Sequence, residues 1–194
     1  TLFRSAIAKK QVEFFYLMAS QDLKGALTPE ALEQAKLHVE AMLVENTNHK
    51  PALIDLASCY IRQGKFDDAI RHIDASILAS DSENISGLSL KGQAQMRSGS
   101  TAEGRATLDF VLTKDPQNSF AHQHLAASYA DEITGLDQVY AAEHPVEQAA
   151  AQEARRAFAT DAEEKIQVVV NNDTTYREAR KKALGKYNEH AGLP

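Results

Sequence analysis

A pattern of large, small and aromatic residues occurs twice in this chain, 35 residues apart, and half-occurs a third time. The first copy contains Leu53, Leu56, Ala57, Tyr60, Gly64, Phe66, Ala69 and Ile73. The second contains Leu88, Lys91, Gly92, Gln95, Gly99, Thr101, Gly104 and Leu108 and closes at Pro116. The third begins with His122, Leu125, Ala126 and Tyr129 and then loses the pattern. A helix–turn–helix unit of this length cannot bury its apolar face alone, so it must stack on its neighbours. The pattern therefore predicts an all-α fold, a short right-handed α-solenoid.

Composition and charge narrow the class of partner. The chain is 43% hydrophobic and 25% charged, which is typical of a folded chain and argues against wholesale disorder. Its formal net charge of −6 disfavours nucleic acid and anionic lipid, because neither would gain basic contacts. Basic residues cluster once, at Arg177, Arg180, Lys181, Lys182 and Lys186, with acidic residues among them. We interpret this cluster as a solvated helix face.

The sequence says little about where in the cell the protein is located. Cys59 cannot form an intrachain disulfide, and its place in a helix favours an inert core thiol. No run approaches the ~18 apolar residues of a membrane helix. The chain starts at Thr1 without a basic-then-apolar leader, so we expect a processed fragment. A cytoplasmic location is favoured, and a periplasmic or membrane-anchored one stays open if an upstream segment was removed.

An earlier, degenerate unit precedes the first clear copy. We expect an amphipathic helix from about Phe3 to Ser20, with a core of Ile7, Val12, Phe14, Phe15 and Leu17. Gly25 ends this helix, Thr28 is the next N-cap, and Pro29 occupies the first turn, where its missing N–H costs nothing. Ala35, Val39 and Met42 follow at the spacing of the later return helices. Phe14 and Leu17 would then belong to the first helix of this unit.

The helices of the clear copies are bounded by turn and capping residues. Their expected ranges are 53–61, 67–79, 85–98, 101–113 and 119–133. Gln63-Gly64-Lys65 is a turn in which glycine tolerates the required backbone angles. The connector Ser80–Asn84 is expected to be one residue longer than its counterpart at Asp115–Asn118.

The repeat period fails after residue 133. We expect Thr134–Glu143 to be loosely patterned, and residues 145–171 to form an irregular helical hairpin. Within it, Thr160-Asp161 followed by Glu163-Glu164 is typical of a capping box, and Val168–Val170 would end a helix. A last helix over about Thr174–His190 would cover the open end of the stack. The predicted divisions are 1–49 (helix pair), 50–130 (core repeats) and 131–194 (irregular extension and capping helix).

The repeated residues resemble the tetratricopeptide repeat. That family places a large residue, a leucine, a small residue and a tyrosine on its first helix, as at Leu53, Leu56, Ala57 and Tyr60. Proline typically closes the unit; Pro116 fits, and Asp81 stands there in the earlier copy. The small residues Ala57, Gly92 and Ala126 lie where two helices cross closely, and large ones fill the space beside them. The sequence departs from the family at Lys91, Gln95 and Gly104, and the resemblance covers about Phe14 to Ala130.

The resemblance implies a partner-binding groove lined by the first helices of successive units, which usually accepts an extended peptide or a helix. The groove-facing residues would be Ile54, Ser58, Ile61, Arg62, Ser89, Gln93, Met96, Arg97, Gln123 and Ala127. Apolar side chains beside two arginines suit a partner with hydrophobic anchors and a carboxylate. An ordinary exposed helix face is the alternative interpretation.

One subgroup of the family grips the C-terminal carboxylate of heat-shock chaperones with lysine, asparagine and arginine. The corresponding positions here include Ile54, Ser58, Leu90 and His124, so that clamp is not predicted.

The sequence offers no pattern that indicates catalysis. His122 and His124 are two residues apart on a helix, so they point to different sides and cannot hold one metal together. There is no Gly-rich phosphate loop, zinc-protease motif or nucleophile elbow. We therefore expect a non-enzymatic protein-interaction module without metal or cofactor. The alternatives are a structural scaffold, a homo-oligomer or secretion-type chaperone within a larger assembly, and an enzyme of unrecognised type.

Overall fold

The computed structural model describes residues 2–25, 27–143 and 174–192, and all the regular structure in these ranges is helical. The helices are α1 (Leu2–Asp22), α2 (Pro29–Glu45), α3 (Lys50–Arg62), α4 (Phe66–His72, continued by a π-helical segment over Ile73–Leu78), α5 (Ile85–Arg97), α6 (Thr101–Lys114), α7 (Ser119–Glu143) and α8 (Thr174–Ala191). The all-α prediction is confirmed. The chain divides into two units, residues 1–121 and 122–194.

In the first unit, α1 packs on α2, α3 on α4 with its π-helical segment, and α5 on α6. The first helices of successive pairs are also neighbours, since α3 contacts both α1 and α5. Each return helix contacts the first helix of the next pair, α2 to α3 and α4 to α5. This is the arrangement that a repeat needs in order to bury an apolar face that it cannot cover alone.

The connectors that precede α3, α5 and α7 end in the same cap. In each, the side chain of the last residue accepts a hydrogen bond from the backbone N–H three residues on: His49 from Ala52 (3.2 Å), Asn84 from Gly87 (2.9 Å) and Asn118 from Ala121 (3.0 Å). Such a bond satisfies one of the N–H groups left over at a helix start. Thr28 caps α2 in the same way, with 3.2 Å from its Oγ1 to the Ala31 N–H, as predicted.

Glycines with left-handed backbone angles end α3 and α5. Gly64 has a φ of 74° and Gly99 a φ of 99°, angles that other residues rarely adopt. The next residue in each turn donates back to the helix, Lys65 to the Tyr60 carbonyl and Ser100 to the Gln95 carbonyl, both at 2.9 Å. The predicted Gln63-Gly64-Lys65 turn is confirmed, and it recurs one repeat later.

The extra residue of the first copy lies inside a helix. Ile73 and Leu108 are buried equivalents 35 positions apart, whereas Ile77 and Val111 are buried equivalents only 34 apart. Between Ile73 and Ile77 the helix widens into its π-helical segment, which absorbs one residue. From Ile77 onward the two copies are therefore in register at 34 residues, and Asp81–Asn84 corresponds to Asp115–Asn118. By the helix bounds the connector 79–84 is longer than the connector 115–118, as predicted, by two residues instead of one. Ser82, not Asp81, is the counterpart of Pro116.

Helices α5 and α6 cross at two glycines. A Cβ atom on Gly104 would lie 2.7 Å from the carbonyl oxygen of Gly92, and a Cβ on Gly92 would lie 2.7 Å from Cγ of Leu108. No real Cβ makes contacts this short, so the two backbones approach as closely as they do because both positions lack a side chain. Gly104, a departure from the family pattern in sequence, is therefore part of the crossing.

The side of α1 that packs into the core is not the predicted one. Tyr16, Ala19 and Leu23 are buried and pack with Leu32, Ala35, Val39, Ala52, Leu56 and Cys59. Phe14, Phe15 and Leu17 are exposed, so their assignment to the core is wrong. Helix α1 is apolar on more than one side, and the periodicity of the sequence alone does not say which side is covered.

In the second unit, α7 runs without a break to Glu143, so the predicted loose stretch at Thr134–Glu143 is wrong. It contains no proline, and Gly135 costs only about 1 kcal/mol relative to alanine in a helix interior, which does not end a helix. The predicted last helix is confirmed as α8. The predicted hairpin at 145–171, its capping box and the helix end at 168–170 lie outside the described residues.

Helix α8 is joined to α7 by polar contacts. Arg180 donates to both carboxylate oxygens of Asp137, from Nε at 2.8 Å and from Nη2 at 3.3 Å. The Nδ1 atoms of His122 and His190 are 3.3 Å apart, and the Tyr129 ring stacks on His190. The earlier residue of α7, His122, contacts the later residue of α8, and the later residue of α7, Asp137, contacts the earlier one. The two helices therefore run antiparallel. The other members of the predicted basic cluster, Arg177, Lys181, Lys182 and Lys186, are exposed as expected of a solvated face.

We expect Gly104→Ala to lower the free energy of unfolding by about 1–3 kcal/mol, because the new Cβ forces α5 and α6 apart. Gly135→Ala is the matched control: nothing lies within 4 Å of its Cβ position. Removing glycine from that helix interior should stabilise the protein by up to about 1 kcal/mol. Chemical denaturation followed by circular dichroism measures both. Equal effects of the two substitutions would contradict the close crossing.

Candidate functional site

The surface predicted to bind a partner lies along α3 and α5 in the first unit. Because the two helices are neighbours and their sequences repeat at 35 residues, residues at equivalent positions occupy equivalent places on them. We call this surface the α3–α5 face and define it by Ile54, Ser58, Arg62, Gln93 and Arg97. Arg62 and Arg97 occupy the same position in successive units, in the last turn of α3 and of α5.

On α3, Ile54 and Ser58 are half-buried and Arg62 is exposed. The Ser58 hydroxyl donates to the carbonyl of Ile54 at 3.2 Å, so it turns back on its own helix. Ile61 is 3% exposed and packs with Ala69 and Ala94 in the core. Although the sequence placed Ile61 in the groove, the α3–α5 face therefore excludes it.

On α5, Gln93 is half-buried and Arg97 is exposed. Met96, the equivalent of Ile61, packs against Gly104 of α6, so the α3–α5 face excludes it. Ser89, the equivalent of Ile54, is buried, and its hydroxyl has no hydrogen-bond partner among the described residues. The α3–α5 face therefore excludes Ser89 as well. The remaining two predicted residues, Gln123 and Ala127, are exposed on α7 in the second unit.

Both arginines of the face are oriented by a neighbour. Arg62 Nη1 donates to the carbonyl of Gly25 at 2.7 Å, which ties the end of α3 to the turn after α1. The guanidinium of Arg97 lies over the Phe66 ring, 4.9 Å from its centroid, in a cation–π contact. A guanidinium carries five N–H donors, so each arginine can keep its present contact and still receive a carboxylate. Such pre-orientation reduces the entropy lost on binding.

A hydrogen bond from Tyr16 to Asp55 joins α1 to α3 beside this face. Tyr16 Oη donates to Asp55 Oδ2 at 3.0 Å. Burial, together with the nearby Asp55 charge, raises the pKa of Tyr16 to about 12. The sequence does not reveal this pair, because Tyr16 stands between Phe15 and Leu17, which the periodicity assigns to the core, and no motif links it to Asp55. The bond fixes the distance between the first helices of two units.

Outside this face, the described residues contain one free cysteine, Cys59. Cys59 is fully buried, and burial, followed by the Asp55 charge, raises the pKa of its thiol to about 12. Such a thiol carries almost no thiolate at neutral pH. No group of three or more histidine, cysteine, aspartate or glutamate side chains in the described residues is placed to hold a metal ion. No helix in those ranges is long and apolar enough to span a membrane.

Comparisons with known proteins agree with the repeat pattern. Residues 17–93, from the second half of α1 into α5, match the sequence profile of a tetratricopeptide repeat family. No curated protein sequence matches the chain. One crystal structure, of a Bacteroides ovatus ATCC 8483 protein described as a candidate protein-binding protein, shares 13% identity over 91% of this chain and 88% of that one. Its TM-score of 0.46 is too low to establish a common fold.

We expect Tyr16→Phe to destabilise the fold by about 1–3 kcal/mol at neutral pH, because it leaves the Asp55 carboxylate without its donor. It should also change how steeply the free energy of unfolding falls at alkaline pH. The unfolded chain ionises Tyr16 near pH 10, and the folded chain only near pH 12. The stability from this raised pKa is therefore fully present below pH 10 and is lost as pH rises towards 12.

Denaturant melts from pH 8 to 12 measure this effect, with Tyr187→Phe as the control. Wild type and the control should lose stability more steeply above pH 10 than Tyr16→Phe does. Three parallel curves would show that Tyr16 is not protected by Asp55 and burial.

Proposed function

We propose, since residues 17–93 are tetratricopeptide-repeat sequence, that this chain is a non-enzymatic module that binds a segment of another protein on its α3–α5 face. The tetratricopeptide repeat is a protein-interaction module, and that coarse statement extends to the repeats of this chain. The finer proposal names the surface and the chemistry of the segment: apolar side chains next to a carboxylate. It acts by binding rather than by catalysis.

The observation that carries the proposal is the placement of Arg62 and Arg97 at the same position of two successive units, each held in one orientation. The two aligned cations give this face a charge opposite to the formal net charge of −6 of the chain. Their half-buried neighbour Ile54 offers apolar contact area beside the charges. Binding energy in protein interfaces concentrates in such combinations of arginine with apolar anchors.

The size of the face limits its affinity. Two helices with two or three contact residues each offer less than the area of a standard interface, so we expect micromolar binding, about −8 kcal/mol. Gln123 and Ala127 lie on α7 in the second unit, and their part in binding stays a prediction from the sequence. An acidic partner segment also distinguishes this proposal from nucleic-acid binding, which would need phosphate contacts along a basic surface.

A peptide selection tests the chemistry of the partner. Random 16-residue peptides displayed on phage are selected on the full 194-residue protein, and the recovered sequences are compared with the unselected library. We expect enrichment of peptides that carry one or two acidic residues next to leucine, isoleucine or phenylalanine. Enrichment of basic peptides, or no enrichment, would contradict the proposal.

We predict that Arg62→Glu combined with Arg97→Glu weakens binding of the selected peptides at least about tenfold, because each charge-assisted hydrogen bond is worth about 1.5–3 kcal/mol. Titration calorimetry measures the affinity. The matched control, Arg71→Glu with Lys114→Glu, makes the same change in net charge on exposed cations of α4 and α6. The control should bind within twofold of wild type, and equal losses in both variants would indicate a general charge effect.

A further inference from the structure

The three caps that start α3, α5 and α7 differ in one chemical property. His49, Asn84 and Asn118 accept the same backbone bond, but only the histidine changes its charge near neutral pH. An amide oxygen accepts a hydrogen bond at any pH, whereas an imidazole nitrogen accepts one only while it carries no proton. Because the Ala52 N–H can only donate, the Nδ1 atom of His49 is unprotonated in this structure. Protonation of His49 would therefore remove a bond that the other two caps keep.

The N–H group that would lose its acceptor lies in the core. Ala52 is fully buried and belongs to the same apolar cluster as Tyr16, Leu56 and Cys59. An exposed N–H that loses its partner binds water instead, whereas a buried one keeps the whole penalty of its desolvation. Solvent therefore cannot replace the bond that His49 accepts.

A charged imidazole is also unfavourable at this position. The N-terminus of a helix carries a partial positive charge, which repels a cation placed there. Both ring nitrogens of a protonated histidine are donors, so the new Nδ1–H group would face the Ala52 N–H at the present N–N distance of 3.2 Å. Two donors that face each other repel, so the protonated ring of His49 has to leave the cap.

Departure of the ring would disturb the packing of α1 on α3. The rings of Tyr16 and His49 meet edge to face with centroids 5.0 Å apart. The Tyr16 hydroxyl in turn donates to Asp55 of α3. Tyr16 therefore links the cap to the hydrogen bond between α1 and α3, and a change at His49 acts on both helices.

The charged groups around the cap have both signs. Asp55 of α3 and Glu45 at the end of α2, which pairs with Lys9 of α1 at 3.8 Å, would attract a proton to His49. Lys50, the next residue in the chain, would oppose it, as would the helix N-terminus. Water and salt screen attractions between partly exposed charges, whereas the lost bond and the repulsion between donors act at contact distance. The contacts therefore decide the direction of the effect.

We propose that His49 is a pH-sensitive switch, whose cap on α3 is closed while the imidazole is neutral and opens when it is protonated, below about pH 6. Opening loosens the α1–α2 pair from α3, whereas the helix starts capped by Asn84 and Asn118 keep their bonds. This inference does not depend on the α3–α5 face, because it concerns the start of α3 and uses none of the residues that define that face.

Amide hydrogen exchange of the full chain, followed by NMR, tests the proposal. After correction for the intrinsic pH dependence of exchange, the protection of the Ala52 amide should fall at least about tenfold from pH 7.5 to pH 5.0 in wild type. The Gly87 and Ala121 amides should keep their protection. His49→Asn supplies the acceptor of the other two caps and should keep Ala52 protected at both pH values. It leaves every surrounding charge in place, so any pH dependence that those charges cause would persist in it.

Two further variants separate the cap from other effects of pH. Asn84→His moves the titratable cap to α5, so the Gly87 amide should then lose protection at pH 5.0 as Ala52 does in wild type. His38→Asn removes a histidine inside α2 that stacks on Phe15, and it should behave like wild type. Equal protection of Ala52 at both pH values in wild type, or the same loss in wild type and in His49→Asn, would overturn the proposal. Failure of the peptide selection would leave these readouts unchanged.

Discussion

The spacing between one helix pair and the next determines whether any pair can bury its apolar side, and the capped starts of the first helices set that spacing. His49, Asn84 and Asn118 each hold the start of the next first helix by a side-chain bond to its backbone. The first copy contains one residue more than the second, and this residue lies before the cap, where the return helix widens into a π-helical segment at Ile73–Leu78. From Ile77 to the cap the two copies keep the same spacing.

Local chemistry made much of this fold predictable. Gly64 stands where a left-handed angle is needed, Thr28 and Pro29 start α2, and the spacing of large and small residues located α3, α5 and the start of α7. The wrong predictions concern positions where the same sequence pattern is compatible with two different structures. An extra residue can be absorbed in a loop or in a helix, and only the packing of Ile77 decides between them. On α1 both faces are apolar, and the choice of Tyr16 over Phe14 follows from a partner, Asp55, that lies 39 residues away.

The candidate site was predictable to the same degree. The position of Arg62 and Arg97 on exposed last turns follows from the repeat and from helical geometry, and the structure places both on the surface. Ile61 is buried because its helix is covered on two sides, by Ala69 of its own return helix and by Ala94 of the next first helix. The exposed strip of α3 is therefore narrower than a single helix wheel indicates. The carbonyl of Gly25 and the ring of Phe66 hold the two arginines in place, and a helix wheel cannot show them because they belong to other parts of the chain.

A stack of helix pairs has surfaces of two kinds, and this chain uses different side chains on each. Along the stack, the α3–α5 face places two arginines beside the half-buried Ile54, a mixture of charge and apolar area that is compatible with contact with water. At the exposed side of α1, four large apolar side chains lie together with one lysine at the rim. Such a surface gains little from contact with water. The first face combines charge with apolar area and the second is apolar throughout, although α1, α3 and α5 are all first helices of their pairs. The repeat therefore determines where a first helix lies, whereas the side chains on its exposed side differ from one pair to the next.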